Sequence, residues 1–309
     1  MRTIQILGWL FGIFILGLYA FGIAGFIETD PLRFWVLASI GLLAPLILIG
    51  RYYRQKQAYQ KMLAAPFPEI YRQILESEVE FYQKLDAAGK ANFIQAMKVF
   101  LAEVEITGVE TSIDDRVRVL TAASAVIPIF GFQQWKYYHL NEVLIYPGAF
   151  NSGTFSQEGP DRNALGMVGT GPMAGKVILS KPALLHGFQK SSDGHNTGIH
   201  EFVHLLDASD GAFDGIPALL DKKYVLPWLG LMHREMKRIS KGKSKLRDYG
   251  ASNKVEFFAV ASEFFFERPD ELQLHYPKLY DLLKKIFQQD LKQQFSPTTL
   301  RKIEQRNLN

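Results

Sequence analysis

Residues Thr3 to Ile27 carry no charged side chain, and few folds can absorb a stretch of that length with no charge in it. A helix needs about 20 apolar residues to cross a bilayer, so this run is long enough. A second uncharged run, Phe34 to Gly50, follows the polar turn Glu28-Thr29-Asp30-Pro31-Leu32-Arg33. Its 17 residues stand at the lower limit for a span. The pair predicts a transmembrane hairpin over residues 1–56, with spans at about 4–27 and 33–50. A cleaved signal peptide followed by a buried helix is the alternative, but the first run is longer than a signal-peptide core and a second follows at once. Arg51, Arg54, Lys56 and Lys61 come after the second run, whereas the turn carries Glu28 and Asp30 against Arg33 alone. The positive-inside rule then puts both ends in the cytoplasm. The expected location is the inner membrane, multi-pass, with the rest of the chain facing the cytoplasm.

With 309 residues, 48% of them hydrophobic and 21% charged, the chain can bury one large or two modest domains, and disorder is excluded. Lys plus Arg number 35 against 31 Asp plus Glu, and a net charge of +4 does not point to a direct nucleic-acid partner. Cysteine is absent. Disulfides, iron–sulfur clusters and thiolate zinc sites are therefore ruled out, and His and carboxylate remain as the strong metal ligands.

Beyond the hairpin, Pro66 to about Leu101 has helical periodicity broken at Ala87-Ala88-Gly89, which predicts two packed helices. Asp114 to Ile129 predicts another. The period then changes: Val143–Tyr146 and Val177–Ser180 are short β-rich runs bounded by breakers, with a long Gly, Asn, Ser and Thr loop from Asn151 to Gly171 between them. From Tyr276 to Asn309 the chain is helical and amphipathic and ends in a charged tail. The division expected is a transmembrane hairpin at 1–56, the helical N-terminal part of the globular region at 57–135 and the catalytic domain at 136–309.

The segment with the most chemistry in it is HEFVHLLD at 200–207. On a helix, residues four apart share a face, so His200 and His204 converge as two ligands for zinc. Glu201 then lies beside the open coordination position, where it can serve as general base toward a water. A surface helix that happens to carry two histidines is the plain alternative. Against it stand the apolar Phe202, Val203, Leu205 and Leu206, the scarcity of histidine (seven in the chain), and Asp207, one turn on, as an acceptor for a ligand's free N–H.

A catalytic zinc site needs a third protein ligand. The segment NKVEFFAVASEFFFE, 253–267, offers Glu256 and Glu263 inside an aromatic helix. Seven residues apart, they lie roughly 10 Å from each other along the axis, so one ion takes only one of them and the other orients something else. Tyr249 is placed to offer a phenol to a developing oxyanion, though a packing role fits its position equally well.

In their order these pieces resemble the Mlc titration factor family of zinc-dependent peptidases, whose signature joins HEFxHxLD to a downstream tyrosine and an aromatic glutamate helix. Here the matching text is HEFVHLLD, Tyr249-Gly250-Ala251, Glu256-Phe257-Phe258-Ala259-Val260 and Ser262-Glu263-Phe264-Phe265. The catalytic domain of anthrax lethal factor has a similar arrangement. The resemblance implies an α+β, zincin-like domain, helix-rich with a small sheet, binding one Zn2+ per chain through His200, His204 and Glu256. In this gluzincin-like set Glu201 is the base, Tyr249 assists the transition state, and Asp207 and Glu263 support the ligands. It also implies that Lys176–Ser180 is the edge strand against which a peptide substrate lies. The implied activity is peptide hydrolysis, with a transcriptional repressor as a partner. A regulatory zinc protein that sequesters such a regulator, with incidental hydrolysis, is the alternative function.

Overall fold

The computed structural model describes residues 11–17, 31–132, 135–159, 161–190, 193–217 and 219–294. Most of the first apolar run, the start of the turn after it, and the charged tail from 295 onward lie outside them. The chain divides into two compact units, Met1–Ala65 and Pro66–Asn309.

The first unit corrects the membrane expectation. Helix α1 is a single helix of 34 residues, Pro31–Ala64, that does not stop at Gly50 but continues through Arg51, Arg54, Lys56 and Lys61. At 1.5 Å per residue its uncharged part, Phe34 to Gly50, is about 25 Å long, short of a hydrocarbon core of about 30 Å. Among the described residues no helix is long and apolar enough to cross a membrane. That finding overturns the multi-pass inner-membrane location, and the described residues give the hairpin no support.

In the second unit, α2 (Glu69–Glu78) leads through a single helical turn, Glu80–Gln83, into α3 (Ala87–Glu103). The sequence suggests a break at Ala87–Gly89, but these residues form the first turn of α3. Asp86 caps it, its Oδ1 accepting the Gly89 N–H at 2.6 Å. Strand β1 (Glu105–Gly108) precedes α4 (Asp115–Ile129), which Asp114 caps. Then come β2 (Glu142–Tyr146), β3 (Gly166–Val168), β4 (Lys176–Ser180), α5 (Lys181–Gln189) and α6 (Thr197–Asp207). After these follow α7 (Lys222–Ile239), a 3₁₀ turn at Asp248–Ala251, α8 (Lys254–Glu267), α9 (Pro269–His275) and α10 (Pro277–Phe287).

The sheet has the order β1-β2-β4-β3, parallel except for β3, which pairs antiparallel to β4. Both of its faces are covered. Val143, Ile145, Val177 and Leu179 join the main core, while Leu144, Tyr146 and Ile178 pack with Phe150 on the other side. Burial on both sides accounts for strands written as unbroken apolar runs.

The topology overturns one expectation. Lys176–Ser180 is not an edge, because β4 pairs with β2 on one side and β3 on the other. The edge on this side of the sheet is β3, three residues inside the stretch that reads as a loop.

Helix α6 runs through the centre of the unit. Gly198 lies so close to Ser124 of α4 that a Cβ there would clash with the Ser124 hydroxyl. Phe202 packs edge-on to Phe100, ring centres 5.7 Å apart, and against Tyr137 at 5.3 Å. Helix α8 fills the opposite flank, with Phe258 and Phe265 stacked on Phe287 at 5.9 and 5.7 Å.

Candidate metal centre

Two capped helices build the centre. The Asn196 side chain accepts the Ile199 N–H at 3.0 Å and starts α6, and its Nδ2 donates to the Gly187 carbonyl at 3.1 Å. Asn253 caps α8 in the same way, accepting the Glu256 N–H at 3.0 Å. On α6 the apolar Ile199, Phe202, Val203 and Leu206 face the core, which turns His200 and His204 together toward α8. Their rings stand perpendicular with centres 4.6 Å apart.

Glu256 and Glu263 approach the same imidazole from opposite sides. Glu256 Oε2 lies 3.0 Å from His200 Nε2 and 3.6 Å from His204 Nε2, while Glu263 Oε1 lies 2.8 Å from His200 Nδ1. A carboxylate only accepts, so His200 Nδ1 carries the hydrogen that binds Glu263. Glu263 is fully buried and is held by two further donors, the Asn196 N–H at 2.6 Å and the Arg247 guanidinium.

One ligand atom each from His200, His204 and Glu256 fits within 4.8 Å. Tetrahedral ligands at about 2.05 Å from zinc stand about 3.3 Å from one another, which the 3.0 and 3.6 Å separations bracket. With Nδ1 protonated, the lone pair on His200 Nε2 points at a carboxylate oxygen, and two acceptors that close need a proton or a cation between them. The donor set therefore fits a zinc ion. Burial disfavours a charged His200, but Glu263, Glu256 and Glu201 outweigh it and raise His200 to about 10. Burial likewise opposes the charge on Glu256, yet the two histidines hold its carboxyl well below the usual range.

Glu201 is buried beside the pair, and desolvation raises its pKa against the pull of His204 and His200. Tyr249, on the 3₁₀ turn, is 51% exposed, with its ring centre 6.0 Å from that of His200. Burial of the hydroxyl and the neighbouring Glu256 push it up to about 12. Asp207 is not hydrogen-bonded to either histidine. Its Oδ2 accepts the Gly215 N–H at 3.0 Å, and both its Oδ1 and His204 Nδ1 are buried without a partner. Since Trp228 Nε1 donates to the Gly215 carbonyl at 2.7 Å, Asp207 and Trp228 together pin the loop that follows α6. Burial raises Asp207 to about 6 despite the Gly215 N–H.

The centre opens into a cleft of about 670 Å³ whose other wall is β3, with Phe213, Arg247 and Val255 along its sides. Sequence reasoning missed Arg247, Asn196 and β3. Asn196 alone had a visible signal, a capping residue just ahead of an apolar helical pattern.

The sequence profile of the family described as glucose-regulated metallo-peptidase M90 matches residues 51–288. The chain is 29% identical over 245 residues to the uncharacterized protein slr2042 of Synechocystis sp., covering 76% of this chain and 88% of that one. It is 31% identical over 166 residues to Mlc titration factor A of Pectobacterium atrosepticum, and 31% over 167 residues to the Yersinia pestis protein of that name. Each of these two matches covers 48% of this chain, and they span 60% and 58% of the respective relatives. A profile that runs from the last part of α1 to the end of α10 takes in the whole cleft, and on that match the chain belongs to the M90 metallopeptidase family.

Proposed function

We propose that this chain is a zinc peptidase that hydrolyses peptide bonds of an extended polypeptide. The convergence of His200, His204 and Glu256 within 4.8 Å, with the buried Glu201 on the same helix, carries the reading. When bound there, zinc supplies a Lewis acid that polarises the scissile carbonyl and makes water acidic. Glu201 receives the proton of the attacking water and returns it to the leaving nitrogen, a shuttle favoured by a carboxylate whose pKa burial has raised. Tyr249 keeps its proton to about pH 12 and donates it as a hydrogen bond to the oxyanion. Glu263, fixed by Asn196 and Arg247, keeps His200 in the tautomer that presents Nε2.

The edge strand supports the extended substrate. Leu165 and Gly169 bond to β4 through Ser180 and Lys176, and Phe150 takes both backbone groups of Ala164. In the antiparallel alternation, Gly166 and Val168 then direct their N–H and C=O away from the sheet, toward the cleft. A peptide strand can pair with them.

Elemental analysis tests the reading. About one zinc per chain is expected in the wild type and in Glu201→Gln, with clear loss in Glu256→Ala. Full zinc in Glu256→Ala would remove that residue from the ligand set. A second reading is favoured by the relatives named for titrating Mlc: the chain sequesters a transcriptional regulator and hydrolysis is incidental. Under it, Glu201→Gln keeps the regulatory effect.

A further inference from the structure

Edge strand β3 and the base of the centre are nearly in contact at one point. A Cβ built on Gly166 would stand 2.5 Å from Glu201 Oε1, 2.6 Å from its Cγ and 2.8 Å from its Cδ, distances that side chains do not tolerate. All three atoms belong to the flexible end of one side chain. Gly166 is not among the positive-φ glycines, so alanine fits its backbone without strain. The absence of a side chain at this position is thus explained by Glu201 and not by the turn of the chain. Glu201 is 5% exposed but borders the cleft, so the slot under Gly166 is part of what fixes its carboxylate and the cleft is the space into which it can turn.

We propose that Gly166 is a positioning residue for Glu201: the missing Cβ leaves the space in which the carboxylate lies directly beneath the free edge, between the metal ligands and the strand a peptide would join. The assignment rests on the peptidase reading for its consequence in catalysis, though not for its geometry. A group displaced by about 1 Å from its productive position loses on the order of 10²-fold in rate. A flexible side chain that swings aside costs the fold little.

The test uses the zinc-loaded full chain and the variant Gly166→Ala. Gly148→Ala serves as the control, because a Cβ at Gly148 meets nothing within 4 Å. Gly166→Ala is expected to lower kcat by about 10²-fold while KM stays within about twofold and zinc content and Tm stay at wild-type values. Combining it with Glu201→Asp, whose shorter side chain withdraws from the slot, should add little beyond Glu201→Asp alone. An unchanged kcat in Gly166→Ala, or an effect that adds in full to Glu201→Asp, overturns the proposal. If the zinc-loaded wild type cleaves no peptide, the peptidase reading fails while the positioning claim remains testable by a crystal structure of Gly166→Ala. A Glu201 carboxylate moved by about 1 Å upholds it, and a carboxylate in place beneath a displaced strand rejects it.

Discussion

The two walls of the cleft differ in how completely their polar groups are satisfied. On the helical wall, Glu263 is fully buried and accepts from His200, Asn196 and Arg247, and both helices begin at capped ends. On the strand wall, β3 has three half-buried residues, and the backbone groups of Gly166 and Val168 face the cleft. The difference teaches that holding an ion and holding a substrate make opposite demands. Ligands must be fixed before the ion arrives, so their supports are spent on one another. A substrate-binding edge must keep hydrogen-bonding capacity unspent, so it lies where no strand of the sheet can reach it.

Substitutions on the two walls should therefore fail in different ways. The largest effect is expected from Glu201→Gln, which removes the proton acceptor but no metal ligand. Its kcat on any peptide substrate should fall by about 10³-fold or more with zinc retained, measured by steady-state kinetics beside elemental analysis. Next, Glu263→Gln weakens the support of His200, and a chelator competition should show metal affinity reduced by roughly 10–100-fold. On the strand wall Val168→Pro removes one outward N–H that β4 does not use. It should raise KM about fivefold with metal affinity unchanged, as expected for one hydrogen bond of about 1 kcal/mol. A loss of zinc in Val168→Pro, or a KM effect confined to Glu263→Gln, would break the contrast between the walls.

The smallest effect is expected at the end of the helix that supplies Glu256 and Glu263. Glu267, the last residue of α8, has both carboxylate oxygens buried, and the pull of Asn196 and the Gly194 N–H on them is outweighed by that burial. Burial, with Glu263 and Asp193 adding to it, pushes its pKa up to about 9. The folded chain thus keeps this proton over a range in which the unfolded chain, titrating near ~4.3, has released it. The contribution of Glu267 to stability is fully present below that lower value and is lost as pH rises toward about 9. Glu267→Gln should melt a few degrees higher than wild type at pH 8 and gain nothing at pH 4, by thermal denaturation.

The two walls were also unequally legible in the sequence. Helix α6 declares itself through local periodicity, since His200 and His204 fall on one face of a pattern whose other face is apolar. Spacing alone left Glu256 and Glu263 equivalent because both lie on the same face of α8. Only packing against α6 shows that they meet opposite nitrogens of His200. Strand β3 was hidden for a different reason. Gly166-Met167-Val168 is too short to show alternation, and its flanks are Gly, Asn, Ser and Thr. That β4 is internal depends on pairing with residues near 143 and 167, which no local pattern encodes. Asp207 shows the limit of reasoning by helical turn: it is buried one turn beyond His204, but its carboxylate is taken by the Gly215 N–H.

A free strand edge also attracts other copies of the same chain, since unpaired backbone groups do not distinguish a substrate from a neighbour. Here Phe150 closes the edge at Ala164, and β3 ends at Val168. What stays open is a window two outward-facing residues wide, enough to grip a passing peptide and too narrow to seed a growing stack of sheets.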